Sequence, residues 1–174
     1  MLQPQISEIN ELRRRTEDAE NRLRRNNLLF FGFSDDRAET WKQSEEHIIA
    51  FCSEKLEITI DPINIDRAHR IGAFQHNKDR PIVVRFSRFK ERDAVLSACT
   101  KLKGTDFSVR QDVSRSVRMV QKRLLEFGKQ QPLKYKLRHD KLIIGESVYV
   151  YDPACDGIVQ LKSSKTGEAS SSDC

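Results

Sequence analysis

A chain of 174 residues, 37% hydrophobic and 33% charged, has room for one or two small folded units with modest cores. Its 31 Lys and Arg exceed its 26 Asp and Glu by five, a weak lean towards a polyanionic partner in which the placement of the cations matters more than their sum. No apolar run approaches the roughly 18 residues that a bilayer span requires, and Met1–Arg15 holds no signal-peptide core; the expectation is a protein of the cytoplasm and/or nucleus, neither secreted nor in the membrane.

Residues 2–25 read as a helix with no core of its own. Leu2, Ile9, Thr16 and Leu23 fall seven apart, and Leu12 and Ala19 supply the second seam position. Leu2, Ile9, Leu12 and Leu23 are therefore the candidate self-association residues, although a frayed, solvated helix fits the same barely three heptads. Asn26-Asn27 breaks the pattern, and Leu28–Phe33 reads as a buried strand. Thr40 is a candidate cap for a helix from Trp41 to Leu56, with Trp41, Ile48, Ile49, Cys52 and Leu56 as its apolar stripe.

A second strand is expected over Ile63–Ile71, then a polar loop over 72–79. In the third strand, Arg80–Phe86, Ile82, Val84 and Phe86 fall on one face and Pro81, Val83 and Arg85 on the other. A helix over Lys90–Leu102, with Ala94, Val95, Ala98 and Leu102 inward, leads to a fourth strand over Phe107–Val113. The order β-α-β-β-α-β over residues 26–113 is the ferredoxin-like split pattern, an α+β class with helices on one face of an antiparallel sheet. Many functions share that layout.

Residues 114–152 read as a second, small α+β unit. Ser114 can cap a helix from Arg115 to Gln131 that Pro132 ends. Leu133–Arg138 alternates apolar and basic, 139–141 turns, Leu142–Ile144 returns, and Ser147–Tyr151 closes a small sheet. Residues 153–174 read as a tail whose Ser-rich end, from Ser163, is expected to be disordered.

From Arg110 to Lys141 ten basic residues stand against three acidic ones, a net of +7, and the rest of the chain is slightly negative. These are Arg110, Arg115, Arg118, Lys122, Arg123, Lys129, Lys134, Lys136, Arg138 and Lys141. A helix stripe and a strand face that are both basic point to a phosphate-binding surface; an ordinary solvated face, or lysines guarding a sheet edge, would give the same composition.

Leu29-Phe30-Phe31-Gly32 resembles the short first-strand motif of RNA-recognition motifs. That resemblance implies Phe30 on the open sheet face, available for stacking, with Leu29 and Phe31 in the core; packing of Phe30 against another part of the chain is the alternative. In the third-strand motif Pro81 and Val83 stand where stacking aromatics are expected, which leaves Arg85, with Arg67 and Arg70 beside it, to hold backbone phosphates. Taken in order, Asn26-Asn27-Leu28, Arg67–Gly72, Arg80–Phe86, Arg110–Ser114 and Leu137–Ile143 resemble the first-open-reading-frame protein of LINE-type retrotransposons and the related cellular and baculoviral few-polyhedra proteins, over roughly Arg25–Asp152. The resemblance implies a trimerising coiled coil, an RNA-recognition-like domain and a basic C-terminal domain. The implied activity is that of a nucleic-acid chaperone which binds single-stranded RNA or DNA with little sequence preference. It also implies binding through Arg115, Arg118 and Arg123, the basic strand, and the loop before the central strand with Lys78 and Arg80.

Nothing in the sequence marks catalysis, a cofactor or a metal. The glycines are isolated, with no phosphate loop, and His47, His69, His76 and His139 have no partner at ligand spacing. Cys52, Cys99, Cys155 and Cys174 are scattered, as free thiols of a reducing compartment are, with Cys52 and Cys99 in apolar helical patterns. The expectation is a non-enzymatic single-strand-binding protein. The alternative is an assembly module in which the coiled coil and the sheet bind proteins and the basic segment is incidental.

Overall fold

The structure is a computed structural model and describes residues 2–162. The chain divides into two compact units between Ser114 and Arg115.

The first unit begins with α1 (Leu2–Arg24), followed by β1 (Asn27–Phe31), α2 (Trp41–Lys55), β2 (Ile65–Arg70), β3 (Ile82–Phe86), α3 (Phe89–Ala98) and β4 (Ser108–Gln111). The four strands form one antiparallel sheet in the order β2-β3-β1-β4. Helix α2 starts where expected because Thr40 closes a reciprocal capping box with Gln43. Pro62–Asn64 is a 3-10 turn that delays β2, and Cys99–Leu102 tightens into 3-10 geometry after α3.

One sheet face carries the core. Leu28 and Phe30 of β1, Ala68 of β2, and Ile82, Val84 and Phe86 of β3 pack against Ile48, Phe51, Cys52 and Leu56 of α2 and Val95 of α3. An aromatic cluster fills its centre, with Phe51 edge-on to Phe30 and to Phe33 at ring separations of 6.2 and 4.9 Å, and 5.0 Å from Phe107. Gly32 adopts φ +99° where β1 ends, and a Cβ there would lie 2.5 Å from the Asp106 carbonyl oxygen, so only glycine fits.

Three expectations are corrected here. Phe30 is fully buried, and it is Leu29 and Phe31 that lie on the opposite face. Pairing sets the phase: Leu28 faces Val84 and Phe30 faces Ile82 across the ladder, and directly opposed residues share a face. Trp41 is not core; it is 61% exposed at the start of α2. Of the residues expected inward after β3, Val95 and Leu102 are buried and Ala98 packs on the core, but Ala94 is exposed and Arg92 is buried in addition.

The second unit is a two-layer sandwich of one helix on one sheet. Helix α4 (Arg115–Lys129) precedes β5 (Tyr135–Arg138), β6 (Lys141–Ile144), β7 (Ser147–Asp152) and β8 (Gly157–Leu161), an antiparallel meander in sequence order. Strand β8 lies in the segment that the sequence reads as tail. Leu124, Val120 and Phe127 of α4 pack on Leu137, Leu142, Ile144, Tyr149 and Ile158. The layers approach closely at Gly128, where a Cβ would lie 2.9 Å from the Tyr135 ring. The expected disorder after Ser163 falls outside the described residues.

Candidate nucleic-acid interface

The face of the first sheet opposite its core is built by alternation, and its middle is not bare, since Val83 is only 4% exposed. Across the strands, His69, Val83, Leu29 and Arg110 form one row, and Arg67 and Arg85 lie in the next. Arg67 and Arg110 are exposed, and neither has a carboxylate partner among the described residues. Arg110 lies over the ring of Phe31, its guanidinium carbon 5.0 Å from the centroid. Arg85 is half-exposed, with its Nε 3.6 Å from Asp66. Trp41 stacks on His69 at a ring separation of 4.3 Å, at the β2 edge of this face. The aromatic surface here is therefore Phe31 and Trp41, neither of which the sequence reading placed here. The signal for Trp41 was its position at the first residue of α2, where a side chain can reach past the edge of the sheet.

Arg70 and Arg80, two expected phosphate ligands, are committed to the fold. The Arg70 side chain is 3% exposed. It donates to Glu39 at 2.6 Å and to the carbonyls of Phe33 and Arg80 at 3.0 and 2.7 Å, and its Nε lies 3.5 Å from Asp35. Arg80 donates to Asp35 at 2.7 Å and stacks on Phe74. The hydrogen bonds from Arg80 hold the Asp35 carboxyl below its ordinary range against the opposing effect of burial. Burial also works against the charge of Glu39, but the bonds from Arg70 and Ser44 outweigh it and its pKa is lowered. The four residues clamp the loop after β1 to the ends of β2 and β3. Lys78 stands exposed on the loop between those two strands.

At the other end of the unit, Asp112 is bonded by Arg24 at 2.8 Å and by Asn27 at 2.9 Å, which ties the end of α1 to the segment after β4. Two of the motifs singled out in the sequence, around Asn27 and Asp112, thus meet as one junction.

In the second unit the basic residues occupy two surfaces. Arg115, Arg118, Lys122 and Lys129 are exposed on the side of α4 away from its buried stripe, and none has an ion-pair partner among the described residues. Lys136, Arg138 and Lys141 alternate with the core-facing Leu137 and Leu142, so they lie on the outer face of the sheet, with Lys134 exposed just before β5. Helix and sheet cations therefore face opposite ways. At the β5–β6 turn the His139 carbonyl accepts a 2.9 Å hydrogen bond from Gln121, the neighbour of Lys122 in α4. Arg123 belongs to neither surface: it bonds Asp156 and, at 3.2 Å, the Tyr151 hydroxyl, with its guanidinium over the Tyr151 ring.

Among the described residues no three His, Cys, Asp or Glu side chains gather as metal ligands. Cys52, Cys99 and Cys155 are free thiols, and burial pushes Cys52 up to about 12 and Cys99 up to about 11, which favours the protonated form of both. Along α1 no side chain is buried, and Leu2, Ile9, Leu12 and Leu23 are all exposed. No described helix is long and apolar enough to cross a membrane. No family model matches the chain, and no curated protein matches it significantly.

Proposed function

We propose that this protein binds single-stranded nucleic acid, RNA foremost, with little regard to sequence and without catalysing a reaction. The observation that carries the reading is the outward stripe of α4. Four cations at helical spacing, none neutralised by a described carboxylate, form a line of charge such as a polyphosphate chain neutralises. Arg138 and Lys141 add two further cations where β5 turns into β6, on the outer face of the sheet. In this reading the first unit is ferredoxin-like, of the RNA-recognition type; its helix order and its strand order β2-β3-β1-β4 support that assignment. Its open face contributes Arg67, Arg85 and Arg110, with Phe31 and Trp41 as the planes on which bases stack. So few aromatics beside so many unpaired cations favour grip on the backbone over reading of bases.

In this reading, which the resemblance seen in the sequence supports, the protein is a nucleic-acid chaperone like those encoded by LINE-type retrotransposons and assembles into particles with RNA in the cytoplasm or nucleus. A second reading rests on α1. Its uncovered apolar seam favours self-association through that helix, with the trimer as the state that the resemblance implies.

Charge reversal tests the main reading. Arg118→Glu, Lys122→Glu and Lys129→Glu together touch no core residue, so the variant folds as the parent does by circular dichroism. Its affinity for single-stranded RNA at moderate salt should fall at least about tenfold, and its salt dependence should flatten by about 0.7 per lost phosphate contact. Unchanged affinity at that salt overturns the assignment of α4.

A further inference from the structure

Arg92 is an anomaly that the proposed function does not use. It is only 6% exposed, yet its guanidinium makes no hydrogen bond to any described residue, and its Nε is fully buried. The nearest carboxylate, that of the exposed Asp93, lies at the 3.9 Å limit of an ion pair. A buried charge with so little compensation is costly, and protein interiors pair such groups. Burial lowers the pKa of Arg92, Asp93 offsets this in part, and the nearby Arg25 lowers it further.

The surroundings of Arg92 suit an anion. Its guanidinium carbon lies 5.2 Å from the Phe89 ring centroid, and that of Arg25 lies 4.5 Å from the same centroid. Phe89 is the first residue of α3, so the position of Arg92 over that ring shows that its side chain runs back to the start of the helix. That start is itself unsatisfied. The cap residue is Arg88, which makes no side-chain hydrogen bond to the first turn. The free amides and the positive end of the helix dipole lie at the turn that begins with Phe89, whose ring both arginines approach. Arg88 and Lys90 are exposed at the same turn. Glu91, the one acid of the first turn, holds a buried carboxylate oxygen, Oε2, that has no hydrogen-bond partner among the described residues.

We propose that the N-terminal turn of α3, with Arg25 and Arg92 beside it, is a binding site for a phosphate group. Its assignment to a backbone phosphate rests on the nucleic-acid reading above, while the site itself does not. A phosphate there gives Arg92 the partner it lacks and caps α3. Because Arg25 directly follows α1, it also fastens the end of that helix to the sheet domain.

The test uses the full chain and inorganic phosphate. Thermal unfolding is followed in phosphate and in chloride at matched ionic strength and pH. Phosphate should raise the Tm of the parent by several degrees, since a ligand held only by the folded state stabilises it, and Arg92→Met and Arg25→Met should each abolish the rise. Arg25 is exposed, so Arg25→Met keeps the test alive should Arg92→Met not fold. A parent Tm indifferent to phosphate, or an undiminished rise in Arg25→Met, overturns the site. A second arm measures single-stranded RNA binding against salt. Flattening of the slope by about 0.7 in Arg25→Met assigns the site to a backbone phosphate. An unchanged slope beside a lost phosphate rise overturns that assignment and makes free phosphate the ligand. Failure of the parent to bind RNA overturns the nucleic-acid reading and leaves the thermal result standing on its own.

Discussion

Phe30 and Phe31 are neighbours with opposite fates, and the difference lies in strand phase. Leu28–Phe33 offers an apolar side chain at every position except Gly32, so alternation has nothing to lock onto. The pairing of Phe30 with Ile82 decides it. Phe30→Ala should cost about 3–5 kcal/mol in urea denaturation, the usual range for a fully buried phenylalanine, and Phe31→Ala clearly less; the reverse order would contradict the register. Arg70 shows another limit of sequence reading. Its partners Asp35 and Glu39 lie more than thirty positions away, and no local spacing reveals them. Arg70→Met leaves two buried carboxylates short of a partner and should cost about 3–5 kcal/mol. The clamp also fixes a pH dependence. Asp35 and Glu39 have lowered pKa values in the folded state, so their contribution is fully present above the unfolded values of about 4 and is lost as pH falls through the folded ones. Urea unfolding of the parent should show stability declining below about pH 4.5. Glu39→Gln should flatten that decline; an identical profile in the variant would remove the clamp as its cause.

Elements with a local terminator were legible. Thr40 as a cap places the start of α2, and Pro132 places the end of α4 to within a few residues. Strand β8 was not, because Asp152–Asp156 reads as the beginning of a tail, although Ile158-Val159 after Gly157 was the available strand signal. On α3 the periodicity points Val95, Ala98 and Leu102 inward as found, but it does not reveal that Arg92 is buried while Ala94 is exposed. Packing between elements gives a sharper prediction at Gly128. Alanine there gains up to about 1 kcal/mol of helix propensity, yet its Cβ meets the Tyr135 ring. Gly128→Ala should therefore destabilise the second unit, by about 1–3 kcal/mol, and Tyr135→Leu should relieve part of that loss in the double variant. Helix α1 has the opposite character, since no tertiary contact buries any of its 23 residues. Most of a protein helix's stability comes from packing of its apolar face against a partner. Light scattering of the full chain should give more than a monomer mass, and Ile9→Asp with Leu12→Asp should return it to the monomer.

For the molecule as a whole, the sequence located the positive charge in the right segment but not its geometry. Lys122 and Lys136 read as parts of one surface, and the two-layer packing of the second unit sends them to opposite sides. Arg70, Arg80 and Arg123, expected to hold phosphates, are engaged by Asp35, Glu39 and Asp156. What remains for a polyanion is the α4 stripe, the β5–β6 turn, and Arg67, Arg85 and Arg110. The most direct test is the affinity of the intact chain for single-stranded RNAs of unrelated sequence as a function of salt. Four contacts from the α4 stripe alone predict a log–log slope of about −3 or steeper, at about −0.7 per contact, with affinities that agree among the sequences. A slope near zero, or no binding at near-physiological salt, would contradict the account.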